Sequence, residues 1–179
     1  MMKIYQPNTS LKAKMKRRLV PLQGRRLLKP KLVRPIVSFS FDDCPKSVIE
    51  NAITPLAQEN WRSTVYISMG LCDTTNHLGL HMSADDVKAL HADGQEIADH
   101  TFNHIDATQH SLDEFMANIN KNQEALNALG LPESKTFAYP YGQVTTAAKK
   151  ALSTKFKGLR GIRSRDSQEI IDLNQIKSN

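Results

Sequence analysis

Apolar positions along this chain fall into short strand-like runs separated by longer stretches of helical period. The first clear run, Val37-Ser38-Phe39-Ser40-Phe41, alternates and stops at the adjacent carboxylates Asp42 and Asp43, which predicts a buried strand delivering two acids at its end. Ser47 through Asn60 has a helical period, with Val48, Ile49, Ile53, Leu56 and Ala57 on one face and Pro55 as an expected kink. Ser63 to Ser68 reads as a second strand, and residues 69–82 as a loop. Ser83 with Asp86 predicts a capped helix that Gly94 closes. Gln95 to Ala98 reads as a third strand. Ser111 with Glu114 opens a long helix whose apolar face includes Leu112, Phe115, Ile119, Leu126 and Leu129. A strand at Thr136 to Tyr139, the turn Pro140-Tyr141-Gly142, a helix from Thr145 to Leu152 and a strand near Gly158 to Ile162 complete the series. Strands alternating with amphipathic helices predict an α/β fold, either a parallel sheet or a (β/α) barrel.

Charge divides the chain in two. Residues 1–35 hold 11 of the 24 Lys and Arg and none of the 18 Asp and Glu, leaving 13 basic against 18 acidic residues, a balance of −5, on the remainder. The reading is a basic, flexible N-terminal segment, 1–35, joined to one domain, 36–179. Such a leader could touch nucleic acid or an anionic membrane surface electrostatically, and a solvated tail is the simpler expectation. No aromatic residue interleaves with the charges after Tyr5, so nucleic acid is not the expected partner. A weak amphipathic helix across Leu11 to Leu28 keeps membrane-surface contact open. No apolar run follows the basic residues as in a secretory signal, and no stretch approaches the ~20 apolar residues of a membrane span, so the cytoplasm is the expected location. Cys44 and Cys72 are too few for a disulfide framework and read as small apolar side chains.

Asp42-Asp43 alone reads most simply as a helix cap or a solvated turn. His100 and His104 change that. Standing four apart, on a helical turn they would share one face and could grip one ion. Two His and one Asp form a common ligand set for a catalytic divalent metal with a position open for water. The other histidines, His77, His81, His91 and His110, read as ordinary surface or core residues.

Ser40-Phe41-Asp42-Asp43, then His100-Thr101-Phe102-Asn103-His104, then Tyr139-Pro140-Tyr141-Gly142 resembles, in that order and spacing, the first three motifs of the NodB-like polysaccharide deacetylases of carbohydrate esterase family four. The resemblance covers roughly residues 36–175. It implies a distorted (β/α) barrel of TIM-like kind and metal-dependent removal of N-acetyl, or O-acetyl, groups from an acetylated carbohydrate. It also implies Asp43, His100 and His104 as metal ligands and Asp42 as general base. Thr101 would brace the ligand loop, and the Tyr141 backbone N–H, within the turn of Pro140 and Gly142, would stabilise the oxyanion. Zinc is the first expectation for the metal, with cobalt and manganese also accepted by such a set.

Two departures from the family pattern stand out. The third motif commonly opens with an Arg that orients the catalytic Asp, and here that position is Ala138. The family's late strand with a Leu and a general-acid His has no counterpart, since no His occurs beyond His110. The expectation is therefore an incomplete barrel, with its C-terminal strands missing and its activity impaired. Losing a general acid typically costs about 10²–10⁴ in rate. The alternative is an inactive remnant or carbohydrate-binding domain of the same fold.

Overall fold

The computed structural model describes residues 5–163 and 170–178. In chain order the elements are α1 (Leu11–Leu19), β1 (Leu27–Leu28), β2 (Phe39–Phe41), α2 (Thr54–Gln58), β3 (Ser63–Ile67), β4 (Thr75–Asn76), β5 (Gly79–Leu80), α3 (Ala84–Ala92), β6 (Glu96–Asp99), α4 (Leu112–Ala128), β7 (Thr136–Ala138), α5 (Thr146–Leu152), β8 (Gly158–Arg160) and β9 (Ile171–Asp172).

Five strands form one sheet in the order β2-β3-β6-β7-β8, every neighbouring pair parallel. Each crossover moves one place in the same direction, so the sheet never reverses as a doubly wound sheet does. This is the winding of a (β/α) barrel, and the sheet curls through half of one, with the site-bearing loops at the C-terminal strand ends. The strands are short and apolar. Val65, Ile67, Ala98, Phe137, Ala138 and Leu159 are completely buried, and Phe115 and Ile119 of α4 pack against the β7–β8 end of the sheet.

The two helix caps expected from sequence are full capping boxes, Ser83 with Asp86 and Ser111 with Glu114. Pro55 sits at the start of α2, directly after a single π-helical turn, Ile49–Ile53. A proline lacks the N–H that would continue the ladder, and the wider turn accommodates it.

The first strand differs from expectation. Only Phe39–Phe41 is extended, and all three residues are half-buried, because β2 is the outer strand of the sheet and lacks a neighbour on one side. Ile36 and Val37 before it are 70% and 76% exposed. A groove of about 1120 Å³ separates β2 from residues 171–178, with Val33, Ile36, Phe39, Ile171 and Ile176 among its lining.

Most described residues of the basic N-terminal segment are exposed, but several of them fasten it to the domain. Val20 is buried in the cluster with Val144, Ala148 and Leu152, and β1 pairs antiparallel with β9. Arg26 donates to the carbonyls of Ser153, Phe156 and Lys157, a cation at the C-terminal end of α5 where the helix dipole favours one. Fully buried Lys149 pairs with Asp172 at 2.9 Å and donates to the Val20 carbonyl, locking the same corner. These ties run through single residues, which an overall charge count does not register.

Candidate metal centre and active site

β6 and β7 are neighbours in the sheet, β2 lies on the far side of β3 from them, and each of the three continues at its C-terminal end into one of the singled-out motifs. Asp43 Oδ1 lies 3.2 Å from His100 Nε2 and 2.8 Å from His104 Nε2. The three ligand atoms all fall within 4.8 Å of one another. His77, His91 and His110 are exposed, whereas buried His81 is held by the Thr74 carbonyl and Asn76 in the β4–β5 hairpin.

The two imidazoles do not meet on a helical turn, contrary to the expectation from their spacing. Residues 100–105 form an irregular loop. Thr101 has φ +62° and His104 φ +53°, so the chain turns twice through the left-handed region and brings the rings to 4.8 Å between centroids. A β-branched residue there is strained, and the surroundings hold it. The Thr101 N–H donates to Asp99 Oδ1 at 2.8 Å, and the Thr101 hydroxyl accepts the Ile105 N–H at 3.0 Å. Phe102 and Asn103 donate their N–H groups to Asn118 of α4. The Gly70 N–H donates to the Phe102 carbonyl at 2.9 Å, an approach only glycine permits, because a Cβ at this position would lie 2.6 Å from that oxygen. Asp43 (φ +62°) and Tyr141 (φ +55°) share the left-handed conformation. Strain of this kind concentrates where a structure fixes side chains for function.

The donor chemistry fits a cation. His100 Nδ1 stands 2.8 Å from the Ala138 carbonyl, an acceptor, so in the neutral ring the proton belongs on Nδ1 and Nε2 presents a lone pair. That lone pair faces Asp43 Oδ1, another acceptor, which is buried without a well-aligned hydrogen bond. Burial would raise the Asp43 carboxyl, but the two imidazoles hold it well below the usual carboxylate range. Burial pulls His100 down, yet contact with Asp43 and the field of Asp42 leave it above its ordinary value. Both directions express one demand for positive charge among three side chains, which a divalent metal meets without a proton.

Asp42 is bound by Arg160 of β8, whose Nη2 donates to Asp42 Oδ1. The guanidinium is 13% exposed, lies over the Tyr66 ring at 4.9 Å from its centroid and donates to the Ser178 hydroxyl. Tyr141 opens a tight turn after β7, with buried Pro140 before it and Gly142 (φ +61°) after it. A Cβ on Gly142 would collide with Ile162. The Tyr141 ring meets the edge of His104 at 4.4 Å and stacks on Tyr5 at 3.5 Å, and the Tyr5 hydroxyl donates to Asp106 at 2.8 Å.

Sequence reasoning did not assign roles to Arg160, Asp99, Tyr5 or Asp106. Asp99 had a legible signal, a carboxylate ending a strand directly before His100. It is fully buried, and burial pushes its carboxyl up to about 7 against the pull of the Thr101 N–H. Arg160 had a weaker signal, a cation closing an apolar strand on the side of the sheet that bears the motifs.

A family model described as polysaccharide deacetylase matches residues 29–159, well over half of the chain. No curated protein matches by sequence. Among solved structures the fold is similar to that of IcaB from Ammonifex degensii, at 19% identity and a TM-score of 0.67, covering 86% of this chain and 76% of that one. The Streptococcus pyogenes deacetylase PplD in complex with acetate is similar at 20% identity and a TM-score of 0.69, covering 94% and 70%. A family 4 carbohydrate esterase from Streptomyces lividans in complex with acetate is similar at 24% identity and 0.58, covering 74% and 64%. At these identities the solved structures establish the barrel-type fold, and the sequence match over residues 29–159 goes further: the chain belongs to the polysaccharide deacetylase family, a family of hydrolases.

Proposed function

We propose that this protein removes acetyl groups from a polysaccharide or oligosaccharide by metal-assisted hydrolysis. The observation that carries the reading is the convergence of Asp43, His100 and His104 beside a separate, reachable carboxylate, Asp42. Asp43, His100 and His104 would hold a divalent cation, zinc first, with cobalt or manganese accepted by the same donors. When bound, such a cation supplies positive charge that acidifies water and stabilises the oxyanion of the attacked acetyl group.

The protein's own residues do the rest. Asp42 is 29% exposed, so water and substrate can reach it. With Oδ1 held by Arg160, the other carboxylate oxygen is left to take the proton from the attacking water. Arg160 thereby acts as a positioning residue, fixing the rotamer of the base. The Tyr141 backbone N–H is the proposed second donor to the oxyanion, and the left-handed turn between Pro140 and Gly142 sets its direction. Thr101 and Asp99 hold the His100–His104 loop in its strained form. Among the described residues no further histidine stands at the site to protonate a leaving group.

Acetate release from N-acetylated and O-acetylated oligosaccharides, by protein stripped of metal and then reloaded, tests the reading. Activity that depends on added zinc, cobalt or manganese and vanishes in Asp42→Asn is expected. Undiminished release by the stripped protein would sink it.

A further inference from the structure

Helix α1 turns toward solvent the face that a surface helix normally buries. Leu11, Met15 and Leu19 follow one another at four-residue steps and are 76%, 57% and 49% exposed, and Leu22 in the next turn is 70% exposed. The opposite side, with half-buried Ala13 and Arg17 and then buried Val20, faces the domain. At 3.6 residues per turn, Lys14 and Arg18 flank the apolar stripe on one side, and Lys12 and Lys16 flank it on the other. Residues 1–35 contain no Asp or Glu. Among the described residues, none of the five cations of α1 enters an ion pair. Lys12, Lys16 and Arg17 also line the cleft of about 510 Å³ beneath the helix.

An outward apolar stripe edged by lysines on both sides suits one kind of partner. Lipid headgroups accept the cations, and the acyl boundary accepts Leu11, Met15 and Leu19, while the long Lys stems reach back along the apolar surface to the phosphates. A nucleic acid would use the charges and leave the stripe in water. Among the described residues no helix is long and apolar enough to cross a membrane, so the contact is one of lying on the surface. We propose that α1 docks this protein onto an anionic lipid surface.

Sedimentation of the full chain with phosphatidylcholine vesicles, with and without phosphatidylglycerol, tests this. Binding is expected only to the anionic vesicles, weakening as salt is raised. Leu11→Ser/Met15→Ser should weaken it by about 10-fold or more, the scale expected from withdrawing two apolar side chains from the interface. Lys14→Glu/Arg18→Glu should abolish it. All four side chains leave the domain core untouched, so the circular dichroism of both variants should match the parent. Equal binding to neutral vesicles, parent-like binding by the Leu11→Ser/Met15→Ser protein, or preferential binding to single-stranded RNA that this variant retains would overturn the proposal.

Discussion

Arg160 stands directly beside Ala138, its register partner on the neighbouring strand, and reaches from there to Asp42. The position where an arginine was expected from the family resemblance is alanine, and the next strand supplies the guanidinium instead. Ala138 is fully buried, and the Arg160 guanidinium packs over the ring of Tyr66.

Replacing Arg160 should therefore slow the reaction without emptying the metal centre. Arg160→Gln is expected to lower kcat by roughly 10- to 100-fold, the usual range for removing a group that orients a reacting residue, with KM and bound metal little changed. Arg160→Lys keeps the charge and loses the planar fork, so it should recover only part of the rate. A parental kcat in the glutamine variant would remove Arg160 from the mechanism.

Asp43→Ala and His104→Ala should each reduce bound zinc by more than the roughly 10- to 100-fold typical of changes outside the ligand shell, as measured by elemental analysis after dialysis. Asp42→Asn should retain its metal while losing turnover. That contrast separates the two adjacent carboxylates, and metal loss in Asp42→Asn with retention in Asp43→Ala would reverse their assignments.

The absence of a third histidine at the site among the described residues bears on the leaving group. An amine must be protonated as it departs, whereas a sugar alkoxide is a far better leaving group, and a general acid is typically worth about 10²–10⁴ in rate. The 179-residue chain is therefore expected to favour O-acetyl over N-acetyl substrates when acetate release is compared on matched oligosaccharides. A preference for the N-acetyl substrate would show that another group supplies the proton.

Tyr5 fastens the N-terminal segment to the rim of the site through its stack on Tyr141 and its bond to Asp106. Tyr5→Ala should cost about 1 kcal/mol, combining a partly exposed aromatic pair with one hydrogen bond. This corresponds to a fall in Tm of about 2–4 °C for a chain of this size. KM should rise more than kcat falls, since Tyr141 loses the ring that fixes it. An unchanged Tm and KM would mean that the contact contributes nothing.

The two capping boxes make stability sensitive to acid. Burial tends to raise Asp86, but the Ser83 backbone and hydroxyl and Lys46 bring it below the ordinary value. The Ser111 hydroxyl and backbone do the same for Glu114. A carboxyl lowered in the folded state stabilises above its unfolded pKa, and that contribution is lost as pH falls through the folded value. Denaturant midpoints should therefore decline below about pH 4, and less steeply in Ser83→Ala/Ser111→Ala. At neutral pH each serine replacement should cost about 1 kcal/mol. Parallel pH profiles for parent and variant would exclude the caps as the source.

Local patterns sufficed wherever the determinant was a neighbour in the chain. Ser83 and Ser111 start their helices because the partner carboxylate lies three residues on, and the strands from Ser63, Gln95, Thr136 and Gly158 appear because their apolar runs are short and bounded. Asp43, His100 and His104 were legible as a candidate ligand set through residue type and spacing, and the structure brings their ligand atoms together. Tertiary structure decided what spacing cannot express. The histidines meet through left-handed Thr101 and His104, held by Asp99, Gly70 and Asn118, and not through a helical turn. The basic segment is fastened by Val20 and Arg26, and Arg160 meets Asp42 across 118 residues of sequence. Each of these contacts depends on which strand lies beside which, a property of the folded sheet that no local run of residues contains.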